Sequence, residues 1–95
     1  MEKRSVAMTR QQQDYANWCR NLINSLNDGG RWAVPRSGLI FQKRGPHTLV
    51  LVNQMPHDPD MPITAEELLE QQETDFRLIR TQFAIAGVSV CRDEG

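Results

Sequence analysis

Apolar residues recur with helical spacing over residues 9–27. Tyr15, Trp18, Cys19, Leu22, Ile23 and Leu26 stand at i, i+3, i+4, i+7, i+8 and i+11, one stripe at a period of 3.6. Thr9 is placed to accept from a free amide of the first turn, and Gly29-Gly30 predicts the stop. The pattern then changes in "RWAVPRSGLIFQKRGPHTLVLVN". Residues 31–35 put Trp32 and Val34 on one face, and Pro35 suits an edge strand. Ser37-Gly38 signals a turn, residues 39–43 read as a second strand, and Arg44-Gly45-Pro46 turns the chain again. Residues 48–53 are the strongest strand, rich in aliphatic and β-branched side chains. Leu49 and Leu51 point one way, Val50 and Val52 the other, so both faces are apolar, as in a central strand.

Residues 55–63 hold three prolines and two aspartates and read as a loop. Thr64-Ala65-Glu66-Glu67 is a capping box: the threonine hydroxyl and the Glu67 carboxylate each satisfy an orphan amide. The helix it opens runs to about Ala86, with Ala65, Leu68, Leu69, Phe76, Ile79 and Phe83 as its buried stripe. Its acidic residues crowd the first half and Arg77 and Arg80 follow, an order that suits the helix macrodipole. Leu78 and Ile85 lie off the stripe. Gly87 ends the helix, and residues 88–91 form a short last strand. The pattern predicts an α+β two-layer sandwich of order α-β-β-β-α with a terminal strand. Its antiparallel sheet has three to four strands, with both helices on one face. One domain is expected over residues 9–91. Tails flank it at residues 1–8, where Met8 is an alternative start, and at residues 92–95.

Composition places this pattern in a globular protein, since 39% of the 95 residues are apolar and 24% charged. No apolar run approaches the roughly 20 residues that span a bilayer, so no membrane partner is expected. Residues 1–10 carry charge but no apolar core of a secretory signal. Cys19 and Cys91 lack metal-type spacing and fall at positions read as apolar, which suggests buried thiols in a reducing compartment. A disulfide between them is the alternative. A cytoplasmic location follows as an expectation. The net charge of −1 hides an asymmetry: residues 1–56 carry eight Lys/Arg against three Asp/Glu, residues 57–95 three against nine. The two halves face each other in the fold, pair head to tail between copies, or bring a polyanion to the basic half.

Arg31, Arg36, Lys43, Arg44 and His47 surround the first two turns and are the candidate phosphate contacts. Trp32, a base-stacking type of side chain, reads as core under the first helix. His57, Asp58 and Asp60 share one loop with His47 upstream, but prolines break that loop and no second ligand cluster supports it. No metal and no cofactor are expected. Cys19 with His47 and Ser37 with His47 are the pairs that would carry nucleophilic chemistry. Because Cys19 lies on a buried stripe, no catalytic residue is assigned, and the residues point to binding rather than catalysis.

The order of elements resembles that of double-stranded-RNA-binding domains and of HicA-type toxins. The likeness to the toxins covers residues 15–90: an amphipathic helix ending at glycine, the Arg36-Ser37-Gly38 turn, a third strand at residues 49–52, Pro56-His57, and the ending "RLIRTQFAIAGVSV". It implies a ribonuclease using a histidine in a Gly-Ser-His turn. Here Ser37-Gly38-Leu39 stands at that turn, and Gly45-Pro46-His47 lies one strand later. The likeness to double-stranded-RNA-binding domains implies a lysine cluster opening the last helix, where this chain has Glu66-Glu67-Leu68-Leu69-Glu70. The leading expectation is a small binding module that takes a protein partner or a second copy through the open sheet face at Ile40, Val50 and Val52. The alternatives are an RNA- or DNA-binding domain using Arg31, Arg36, Lys43, Arg44 and His47, and a degenerate HicA-like ribonuclease using His47.

Overall fold

A computed structural model describes residues 9–93, so the expected tail at residues 1–8 lies outside the described residues. The elements are α1 (Arg10–Ser25), β1 (Arg31–Ala33), β2 (Leu39–Lys43), β3 (Thr48–Gln54), α2 (Ala65–Ile85) and β4 (Ser89–Arg92). The sheet order is β1-β2-β3-β4. β1–β2 and β2–β3 pair antiparallel, whereas β3–β4 pair parallel. The chain is α+β as the pattern predicts, but the sheet is mixed rather than antiparallel. The reason is the connection: β3 and β4 are joined through α2, and a helical crossover delivers the next strand in the same direction. Arg92, expected in a tail, belongs to β4. No helix among the described residues is long and apolar enough to cross a membrane.

Both helices open on a complete capping box, Thr9 with Gln12 and Thr64 with Glu67. α1 ends at Ser25, two residues before the expected stop, because Leu26 already has extended dihedrals. The glycines serve the sheet instead: the Gly29 amide donates to the Lys43 carbonyl, and the Lys43 amide to the Gly30 carbonyl. α2 ends in a Schellman motif. Gly87, at φ 83°, lets its amide reach the Ala84 carbonyl and the Val88 amide reach that of Phe83.

The core lies between the helix layer and one sheet face. Ala16, Cys19 and Ile23 come from α1, Phe76, Ile79 and Phe83 from α2, and Leu39, Phe41, Leu49, Leu51 and Val90 from the strands. β3 is central and sends Leu49 and Leu51 to the helices, as expected. Trp32 packs into the core, its ring 5.8 Å from Phe41 and 5.6 Å from Phe83. Trp18 differs from expectation: it touches Tyr15, Trp32 and Phe83 yet is 46% exposed. The centre of the α1 stripe falls on Ala16, Cys19 and Ile23, which leaves Trp18 as a lid at the rim. On α2, Ala65 and Leu69 are exposed and Gln72 is buried, so the true stripe is Leu68, Gln72, Phe76, Ile79 and Phe83. Arg92 closes the far edge, its guanidinium 4.3 Å from the Phe76 ring centroid and paired with Glu73.

Candidate functional site

The open sheet face carries the row Arg31, Gln42, Val50 and Cys91, one residue from each strand in register. Cys91 is exposed, against the expectation of a buried thiol, because pleating sends Val90 inward and Cys91 outward. Val50 lies on this face yet is only 5% exposed. Arg44 lies across the same face: its Nε donates to Gln42 Oε1 at 3.0 Å on β2 and its Nη2 reaches Asp93 Oδ2 at 3.1 Å beyond β4. A side chain held at both ends in this way crosses β3 between them. Val52 is the unpaired residue of a β-bulge, since Ile40 pairs with Asn53 and Phe41 with Leu51. Alternation breaks there, and Gln54 rather than Asn53 turns to the helix layer. Ile40, Val50 and Val52 therefore do not form one exposed apolar patch: Val50 is buried, and Ile40 and Val52 are half-buried.

The five cationic positions also separate. Arg36 lies in the β1–β2 turn, while Arg31, Lys43, Arg44 and His47 gather at the other end of β2, roughly 16 Å away for a five-residue strand. Lys43 is committed to α1: its Nζ donates to the carbonyls of Ile23 at 2.9 Å and Leu26 at 3.0 Å, so its charge caps a helix C-terminus. Arg44 is paired with Asp93. Ser37 is buried in the β1–β2 turn and Cys19 lies in the core, so neither pairing with His47 is assembled. Burial pushes the Cys19 thiol up to about 11. With a thiol-specific chromogenic reagent near pH 8, the folded protein is expected to release about one equivalent rapidly, from Cys91, and the second only on unfolding. Fast reaction of both thiols would contradict the burial of Cys19.

The end of the sheet at the β1–β2 turn holds what the sequence reading missed. Val34 donates to Leu39 across a turn in which Arg36 has φ 72° and Gly38 φ 76°. A left-handed arginine costs on the order of 1–3 kcal/mol and persists only where its surroundings hold it. Here Gln72, 1% exposed, supplies the hold. Its Nε2 donates to the carbonyls of Ser37 at 3.1 Å and Met55 at 3.0 Å, and its Oε1 accepts from Gln54 Nε2 at 3.0 Å. The Met55 amide donates to the Gly38 carbonyl at 2.7 Å. Gly38 must be glycine for a second reason, since a Cβ there would stand 2.6 Å from the Met55 Cβ. One side chain of α2 thus ties the turn to the exit of β3.

Around this clamp lies a cleft of ≈ 470 Å³, walled by Val34, Pro35, Ile40, Met55, Met61 and Leu68 with Arg36 at its lip. A second hollow of ≈ 280 Å³ continues it past Met55 along Leu68, Leu69 and His57. Met55 is 51% and Leu69 61% exposed, two of the most exposed large apolar side chains among the described residues. The outer wall is the loop after β3, shaped by His57 Nε2 against the Ile63 carbonyl at 2.7 Å and by Asp58 Oδ1 accepting from the Asp60 amide at 2.9 Å. Asp58 and Asp60 line that loop's own hollow, and Glu66, Glu67 and Glu70 are exposed on the first turns of α2. The lining of the cleft itself carries one cation, Arg36, and no carboxylate; the carboxylates stand beside it, on the loop after β3 and the first turns of α2. Among the described residues no three His, Cys, Asp or Glu side chains converge as metal ligands.

Comparison with protein-family models, with curated proteins and with solved structures finds no match to this chain.

Proposed function

We propose that this chain is a binding module that holds an apolar, basic-flanked segment of a protein in the cleft between the β1–β2 turn, the loop after β3 and the start of α2. The observation that carries the reading is the cleft itself: methionines and aliphatic side chains at an accessible floor, buttressed by a fully bonded buried glutamine. Methionine adapts its shape to what it meets, which suits a docking floor. The carboxylates beside it, on the loop after β3 and the first turns of α2, attract cations and repel phosphate, which favours a basic protein segment over nucleic acid. The cleft is favoured over the open sheet face because Val50 is only 5% exposed there, whereas Met55 is 51% and Leu69 61% exposed.

The test is a fluorescence titration with a short amphipathic peptide of leucine and lysine. Saturable binding is expected, weakened about tenfold or more by Met55→Glu, since a charge on an apolar contact costs upwards of about 1.4 kcal/mol. Cys91→Ser on the open face is expected to leave affinity unchanged. A peptide of leucine and glutamate that bound equally well, or an affinity indifferent to Met55→Glu, would refute the reading.

A further inference from the structure

The outward face of α2 carries a patch that no other described element covers, with basic and aliphatic side chains. Arg77, Arg80, Thr81, Ala84 and Ile85 surround a shallow hollow of ≈ 640 Å³. Ile85 is 41% exposed and Leu78, seven residues before it on the same side of the helix, 54%. Arg77 is only loosely held, 3.7 Å from Glu73 with its side chain 74% exposed. Arg80 makes no ion pair among the described residues. These are two of the three Lys/Arg in residues 57–95, so the basic charge of the acidic half is concentrated beside exposed aliphatic surface. The cleft, with the carboxylates of Asp58, Asp60 and the first turns of α2 beside it, stands at the opposite end of the same helix. From Leu69 to Thr81 the rise is roughly 18 Å along a rigid rod, so the patch cannot fold back into its own cleft.

We infer that copies of this chain associate head to tail, the α2 patch of one seated in the cleft of the next. The inference rests on the cleft reading and names its occupant: Ile85 and Leu78 meet Met55 and Leu69, while Arg77 and Arg80 face Asp58, Asp60 and the carboxylates opening α2. The two surfaces differ, so the contact is heterologous. It leaves a free cleft at one end of a pair and a free patch at the other, and assembly continues unless the rotation closes a ring.

Sedimentation over rising concentration at low salt tests it. The expected mass grows past the dimer, and about 0.5 M salt shifts it back toward monomer, because screening weakens the exposed charge pairs. Leu69→Glu disables the cleft and Ile85→Glu the patch. Both positions are exposed, so both variants are expected to fold, as circular dichroism would verify. Each alone is expected to be monomeric, and their equimolar mixture to give a one-to-one pair that grows no further, joining the intact cleft of one variant to the intact patch of the other. A strict monomer, a wild-type mass that halts at two, or a mixture no heavier than its components would overturn the inference. If the chain stays monomeric while the leucine–lysine peptide still binds, only the self-association falls; if the peptide fails as well, the cleft reading falls with it.

Discussion

Phe83→Ala is expected to lower the free energy of unfolding by about 3–5 kcal/mol, the range for deleting a fully buried aromatic ring. Phe83 is 0% exposed, and its ring lies 6.3 Å from that of Trp18 on α1 and 5.6 Å from that of Trp32 on β1. It is also the residue whose carbonyl receives the Val88 amide where α2 ends, with Val88 buried beside it. One truncation therefore opens a cavity shared by two helices and the sheet and loosens the hydrophobic contact that closes the C-terminal cap. A domain of this size has about 5–15 kcal/mol in total, so the variant is expected to unfold at far lower denaturant, if it folds at all. Leu78→Ala, on the exposed face of the same helix, is expected to stay within about 0.5 kcal/mol of the parent. Urea unfolding of the two variants checks this. A Phe83→Ala loss no larger than that of Leu78→Ala would mean that α2 does not pack as described.

Gln72→Met is the second large effect, and it acts on the cleft. Methionine fills nearly the same volume but donates nothing. The substitution leaves the carbonyls of Ser37 and Met55 and the side-chain Nε2 of Gln54 without the partner they share. Each buried polar group left unpaired costs about 1–3 kcal/mol, so a loss of at least about 2 kcal/mol is expected. For a chain of this length that lowers the melting temperature by roughly 8 °C or more. The clamp also holds Arg36 in its left-handed conformation and keeps Met55 against Gly38, so peptide affinity should fall even where the variant remains folded. Unchanged melting and unchanged affinity would show that Gln72 neither stabilises the turn nor shapes the cleft.

The frame was legible because its signals are local. Thr64 and Glu67 announced α2, Gly87 ended it, and the run from Thr48 declared a central strand because both its faces are apolar. What escaped the sequence depended on contacts between distant segments. Nothing local says that Arg44 crosses β3 to reach Asp93, or that Lys43 turns inward to cap α1, and so five positions that look like one patch divide, with Lys43 and Arg44 committed within the fold. Strict alternation put Val52 beside Val50 until a bulge broke the period. The cleft left one faint trace: the apolar stripe of α2 skips from Leu69 to Phe76, and the polar residue filling the gap at the helical interval is Gln72. A glutamine in a core stripe implies buried partners, and aperiodic methionines at 55 and 61 in a proline-rich loop imply a wall that something packs against. The parallel pairing of β4 follows from the helix that precedes it, a topological cue more dependable than the alternation of four short residues.

The central claim is that docking occurs at the end of the sheet and not on its open face. Methyl and amide NMR shifts recorded while the leucine–lysine peptide is added locate the contact directly. The account predicts shifts concentrated at Val34, Met55, Met61, Leu68 and Leu69, with Val50 and Cys91 unmoved. Shifts centred on Val50, Val52 and Cys91, with the methionines silent, would contradict it.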